Sequence, residues 1–169
     1  MKKLFFLLGT ECKPATDLEV IAFKESTGLN SLPQAFESFC TIQNGGVPAA
    51  ENEYFIPSLS KTDYWNFSRE RVINPAGEID VNKLLGITDI QRFSVLHWTS
   101  NARRIWGLAD NYFCVAYDGI GSKIVSQLIE GADQVYFWEP HVEPHFFLIA
   151  NSLAEFYDGL GLAPDCEES

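Results

Sequence analysis

The chain has 169 residues, of which 46% are hydrophobic and 14% aromatic, so it is long enough for one domain with a real core and too apolar to be disordered. Acidic residues outnumber basic ones by 23 to 12, and the net charge of −11 argues against binding to nucleic acid or anionic membranes. The excess is uneven: residues 1–104 hold 12 acids and 11 bases, whereas residues 105–169 hold 11 acids and one base, Lys123. Such a C-terminal surface either attracts a cationic partner or simply aids solubility.

The first residues imitate a signal peptide, because two lysines precede the apolar run Leu4 to Leu8. That run is short, and Glu11 directly before Cys12 argues against a lipoprotein signal. We therefore expect a cytoplasmic protein that begins with a buried strand or a first helical turn. No run approaches the roughly 20 apolar residues that span a bilayer, so no membrane partner is expected.

The four cysteines, Cys12, Cys40, Cys114 and Cys166, are widely spaced and form no C-x-x-C motif. The sequence therefore signals neither a zinc site nor a redox pair, and it permits disulfides without requiring them.

Two helices are predicted in the first quarter of the chain. The first begins with a capping box of Thr16 and Glu19 and ends at Gly28. Its apolar face consists of Leu18, Ile21 and Ala22. The second begins near Pro33, and Asn44 or Gly45 takes the left-handed position after its end. Its apolar stripe consists of Ala35, Phe36, Phe39, Cys40 and Ile42.

Residues 47–91 show the least regular pattern. We expect a short strand at 53–57, a turn at 74–80 and a brief helix at 81–87.

From residue 92 the pattern alternates and predicts an antiparallel meander. Its strands are expected at 92–98, 111–117, 122–129 and 134–140, with turns at 118–121 and 130–133. A last helix begins at the capping box of Ser152 and Glu155. Its apolar face consists of Leu153, Phe156, Tyr157 and Leu160. The order predicts a single α+β domain: one antiparallel sheet of about four to six strands with helices packed on one face.

One stretch suggests chemistry, the run of residues 139–145. In an extended chain its acids and imidazoles would share one face and suit zinc, manganese or iron. These residues are Glu139, His141, Glu143 and His145. The two intervening prolines instead favour a protected sheet edge or loop, so we expect no metal and no cofactor.

No catalytic residues are predicted. His97 stands alone in an apolar stretch, which is more typical of a hydrogen-bonded core residue than of a base. Residues 118–122 do not match a dinucleotide-binding fingerprint, and a hairpin turn with Gly119 and Gly121 at positive φ explains them.

Several pieces then occur in a set order: Gly28-Leu29, Leu32-Pro33 and Asn44-Gly45-Gly46. Asp118-Gly119-x-Gly121 follows, and then residues 135–141 and 149–160. As an ordered set over about residues 15–162, they resemble the SUKH superfamily, although Asn30-Ser31 and Ser122 depart from its usual pattern. The superfamily comprises immunity proteins of bacterial polymorphic toxin systems and fungal regulators of cell-wall synthesis.

The resemblance implies a non-catalytic protein that binds and neutralises a cognate toxin, often a nuclease or a deaminase. The acidic C-terminal half agrees with a basic protein toxin as partner. The residues expected to contact it are Glu130, Asp133, Tyr136, Trp138, Glu139 and Glu143. A regulatory interaction module of the same fold is the second hypothesis, and a metal-dependent enzyme that uses the Glu/His run is the third.

Overall fold

The computed structural model of the chain describes residues 2–55, 78–118, 121–143 and 145–162. Within these residues the fold is α+β, with four α-helices and one seven-stranded antiparallel sheet. The sheet exceeds the predicted count by one strand. The strand order is β6-β5-β4-β3-β2-β1-β7.

The helices are α1 (Asp17–Thr27), α2 (Gln34–Ile42), α3 (Val95–Trp106) and α4 (Leu153–Gly159). The strands are β1 (Tyr54–Phe55), β2 (Ile79–Leu84), β3 (Phe113–Asp118), β4 (Lys123–Ser126), β5 (Val135–Trp138), β6 (Phe146–Ala150) and β7 (Leu160–Gly161). Two 3-10 turns, Ala50–Asn52 and Gln91–Phe93, complete the described elements.

The predicted ends of α1 are confirmed. Thr16 accepts the backbone N–H of Glu19, and the Glu19 carboxylate accepts the N–H of Thr16 at 2.7 Å. Gly28 ends the helix in the left-handed conformation. The predicted apolar face is wrong, however: Val20 and Phe23 are buried, whereas Leu18, Ile21 and Ala22 are exposed.

Helix α2 buries most of its predicted stripe. Phe36, Phe39 and Cys40 are fully buried, but Ile42 is exposed. Asn44 and Gly45 both take positive φ after the helix, as predicted.

The meander from β3 to β5 is confirmed, and α4 also lies where it is predicted. The Ser152 hydroxyl accepts the N–H of Glu155, and the Glu155 carboxylate accepts the N–H of Asn151. The predicted apolar face of α4 is buried.

The predicted strand at 92–98 is wrong, because α3 occupies most of that stretch. The Ser94 side chain caps its first turn, and Gly107 ends it in the left-handed conformation. Val95, Thr99 and Ala102 are buried at helical spacing. The short alternation before residue 98 was coincidental, since the helical period becomes visible only over the full span to residue 106.

The predicted helix at 81–87 is also wrong, because residues 79–84 form β2, which pairs with β3. The predicted N-terminal strand or first helical turn is also absent: residues 2–12 form an isolated bridge between Phe6 and Pro48 and a turn at 8–10. The expected strand at 53–57 is present as β1, but residues 56–57 and most of the expected turn at 74–80 lie outside the described residues.

Helices cover both faces of the sheet rather than one. Residues opposite each other in antiparallel strands share a face, so Tyr117 and Lys123 lie together on one side. Helix α3 packs there, with Trp98 4.4 Å from the Tyr117 ring. On the opposite face Phe113 contacts Phe23 of α1. Every residue of β3 and β4 is consequently buried.

Candidate functional site

Asn44 joins three segments of the chain. It is 2% exposed, and its amide nitrogen donates to the carbonyl oxygens of Lys13 and Ile87 at 2.8 and 2.7 Å. Its amide oxygen accepts the N–H of Ile87 at 2.7 Å. Gly46 adds a reciprocal pair of backbone hydrogen bonds with Leu84. This stretch therefore holds the segment before α1 against the end of β2 and the residues that follow it.

Two of the predicted partner-binding acids cap helices. The Glu130 carboxylate accepts the N–H of Gln34 at 2.9 Å, and the Asp133 carboxylate accepts the N–H of Leu153 at 3.0 Å. They lie in the loop between β4 and β5, at the first turns of α2 and α4, where negative charge is favourable. The side chain of Pro33, at the N-cap of α2, has no hydrogen-bond acceptor. Glu130 supplies the acceptor from 96 residues away in the sequence.

A cavity of about 380 Å³ lies beside these two carboxylates, and Asp158 also lines it. The Asp158 carboxylate accepts the backbone N–H of Lys2 at 2.8 Å. The three acids make this end of the molecule strongly negative, and each already binds a backbone N–H.

Tyr136 and Trp138 share one face of β5, as predicted, but they differ in exposure. Trp138 is 2% exposed, whereas Tyr136 is half-buried. The Tyr136 ring meets Tyr112 and Phe146 edge to face, at 5.8 and 6.0 Å. Burial raises the pKa of Tyr136, and the neighbouring Tyr112 adds to this effect.

Residues 140–143 turn between β5 and β6, which agrees with the expected edge or loop and not with the extended run that the metal alternative requires. The N–H of Glu139 donates to the carbonyl oxygen of His145 at 2.9 Å, which closes the turn. Glu143 and His145 then approach each other, with 2.8 Å between Oε1 and Nε2. Within the described ranges, no group of three or more His, Cys, Asp and Glu side chains has the arrangement of a metal site.

The six predicted residues therefore lie in β5 or near one of its two ends. Glu130 and Asp133 precede the strand, while Glu139 and Glu143 follow it, exposed or partly exposed. The strand of four residues between the two pairs is itself about 10 Å long. Tyr136 lies between them.

His97 lies on α3, with its Nε2 3.0 Å from the Asn101 amide nitrogen and its ring edge against Trp98. His97 is therefore a partly exposed residue of a surface helix, and Asn101 and Trp98 fix the position of its ring. Cys12, Cys40 and Cys114 are buried free thiols, and burial raises the pKa of each.

Sequence reasoning missed the environment of Lys123. It is 5% exposed, and its ammonium group lies 3.7 Å from the Trp106 ring centroid and 5.0 Å from that of Tyr117. The same group donates to the carbonyl oxygen of Gly121 at 2.8 Å. Burial lowers the pKa of Lys123, and the nearby Cys114, Asp118 and Glu139 oppose that shift. The sequence signal that could have predicted this buried position is a single basic residue among apolar strand residues.

The amino-acid sequence matches a known family. The model of the SMI1/KNR4 family (SUKH-1) matches residues 14–159, most of the chain. The chain belongs to the SMI1/KNR4 family. That family comprises immunity and regulatory proteins that are in general not catalytic, and SUKH immunity proteins bind toxin partners. A comparison with curated proteins finds no match.

For this SMI1/KNR4 family member, no helix in the described part of the chain is both long and apolar enough to cross a bilayer.

Proposed function

We propose that this chain is an immunity protein that neutralises a cognate bacterial toxin. The toxin is a basic protein, a nuclease or another toxin that acts on nucleic acids. Membership of the SMI1/KNR4 family carries this proposal, and the charge of the C-terminal part gives it a mechanism.

The proposed contact surface consists of the acids at both ends of β5 and the aromatic side chains between them. We call Glu130, Asp133, Tyr136, Trp138, Glu139 and Glu143 the β5 surface. Trp138 supports this surface from beneath, since it is almost fully buried. The carboxylates of Glu139, which is half-buried, and Glu143, which is exposed, meet the partner's lysines and arginines.

On this proposal, the chain neutralises the toxin by covering the toxin's substrate site. A nuclease holds its phosphate substrate with cationic side chains. An acidic protein surface that pairs with those cations covers the substrate site and speeds the encounter by long-range attraction. No step requires a catalytic residue, a metal ion or a cofactor on this chain, and we propose a cytoplasmic site of action.

The experiment is co-expression with the toxin encoded next to this chain's gene. Cells that express the toxin survive when the wild-type chain is present. The double variant Glu139→Lys/Glu143→Lys loses protection, whereas the control Glu11→Lys/Glu51→Lys, with the same change in net charge on other exposed acids, retains it. Equal protection by both double variants would overturn the role of the β5 surface.

A second function is favoured by the family description, which names SMI1 and KNR4. On this alternative the chain is a non-catalytic regulatory module that binds a partner other than a toxin. A chain that never protects cells from any neighbouring toxin, yet binds a non-toxin protein at the β5 surface, would support it.

A further inference from the structure

A groove runs between α1 and α3, on a part of the molecule distinct from the β5 surface. One wall is a single face of α1: Glu19, Ala22, Phe23 and Ser26. The other wall comes from the segment Gly86–Asp89 and from Leu96. This part encloses about 380 Å³, and a second cavity of about 620 Å³ continues it along α3 to Arg103 and Arg104. Ser26 and Leu96 line both cavities, so the two form one continuous groove.

The middle of the groove is apolar and open to solvent. Phe23 and Ile87 form its buried floor, and Leu96 at its edge is 42% exposed. An apolar floor that stays open to solvent is typical of a protein interaction site.

The two ends carry opposite charge. Glu19 and Asp89 line one end, whereas Arg103 and Arg104 line the other. Glu19 precedes Ser26 by about 10 Å along α1, and Arg104 follows Leu96 by about 12 Å along α3. The groove thus follows about two turns of α1 and about two turns of α3, with acids lining one end and bases lining the other.

These charges are held in place. The Glu19 carboxylate accepts the N–H and the hydroxyl of Thr16. The Arg103 guanidinium donates to the carbonyl oxygens of Asp110 and Tyr112, and its Nε lies 3.9 Å from the exposed Asp110 carboxylate. Arg103 therefore already has an acidic neighbour, whereas Arg104 donates to the neutral amide oxygen of Asn101.

We propose that this groove binds one segment of a partner protein, with apolar side chains at its centre, a base at one end and an acid at the other. The base lies against Glu19 and Asp89, and the acid lies against Arg103 and Arg104. A segment with one sign of charge throughout is repelled at one end of the groove, which gives selectivity. A short amphipathic helix presents such a pattern to a groove between two helices. The inference goes beyond toxin neutralisation and holds whether or not the partner is a toxin.

The test uses the full chain and a phage-displayed library of peptides of about 14 residues. Peptides that bind the wild type should share an apolar centre with opposite charges at their ends. Their affinity should fall about tenfold or more with Leu96→Asp, which places a charge in the apolar middle. The variant Ala22→Arg fills the groove from α1, at an exposed helical position where arginine is well tolerated, and should cause the same loss.

The matched control is Ile105→Asp, because Ile105 is 53% exposed on α3 and does not line the groove. The Ile105→Asp variant should bind the selected peptides as tightly as the wild type.

The variant Arg104→Glu should shift the preference towards peptides with bases at both ends. The proposal is overturned if no peptide is enriched, if the enriched peptides carry one sign of charge, or if Ala22→Arg and Leu96→Asp bind them as tightly as the wild type. The protection of cells from a toxin is measured in a separate experiment. A failure of the groove proposal therefore does not imply a failure of the toxin proposal, and the reverse also holds.

Discussion

Asn44 and Ile87 exchange two hydrogen bonds across 43 residues of chain, through the Asn44 amide and the Ile87 backbone. The side chain thus pairs with the backbone just after β2 as a neighbouring strand would. The same amide also holds the carbonyl oxygen of Lys13, just before α1. One buried side chain therefore fixes the relative positions of α1, α2 and β2.

Asn44→Ala should lower the free energy of unfolding by about 3 kcal/mol, because it leaves three backbone groups without their partner. Asn44 also has a φ of 61°, which alanine disfavours. Asn44→Gly restores the backbone freedom but not the hydrogen bonds, so it should remain well below the wild type. Urea denaturation of the three proteins checks this. A loss below about 1 kcal/mol for both variants would contradict the role of the amide.

Glu130→Ala should lower the free energy of unfolding by about 1 kcal/mol, because α2 loses its only side-chain acceptor among the described residues. Glu143→Ala is the control, since its carboxylate is largely exposed and contacts only His145 in the described structure, and should change stability little. Equal stability of the two variants, measured by urea denaturation, would contradict the capping role. Binding losses at Glu130 and Asp133 therefore need correction for stability.

Tyr157→Phe should leave stability unchanged or raise it by about 1 kcal/mol. The Tyr157 hydroxyl is buried without a hydrogen-bond partner among the described residues, and its removal ends a desolvation cost. The ring itself stacks on Phe39 at 4.7 Å, so Tyr157→Ala should cost about 4 kcal/mol. Thermal unfolding measures both. A clear loss with phenylalanine would show that the hydroxyl has a partner.

Lys123→Met should change how stability depends on pH. Burial lowers the pKa of Lys123 below its ordinary value of 10.5 in the folded state, so between the folded pKa and 10.5 the unfolded chain binds more protons. Stability of the wild type relative to Lys123→Met therefore rises with pH across that window and is flat below it. Urea denaturation of both proteins from pH 7 to about 10.5 checks this. A difference that stays constant, or falls, would contradict the buried position of the ammonium group.

Local signals in the sequence predicted the ends of helices well. Thr16 and Glu19 lie three residues apart, and Gly28 needs only its own backbone freedom, so both are visible in a short window. The meander from β3 to β5 was visible for the same reason. Membership of the SUKH superfamily was predicted from the order of such pieces and is confirmed.

Contacts between distant residues could not be predicted in this way. Glu130 reads as a surface acid in the sequence, and only the fold brings it to the N–H of Gln34. The acids and imidazoles between 139 and 145 alternate in the sequence as they would in a strand, but residues 140–143 form a turn, and Glu139 donates its N–H to the carbonyl oxygen of His145. The alternation before α3 misled for a further reason, because seven residues are too few to separate a period of 2 from one of 3.6.

The central claim is neutralisation of a toxin, and a titration of the purified toxin encoded next to this chain's gene tests it most directly. Toxin activity on its nucleic-acid substrate is measured as this chain is added. The account predicts complete loss of activity at one chain per toxin molecule, with slower association at high salt. Full toxin activity in the presence of excess folded chain would contradict it.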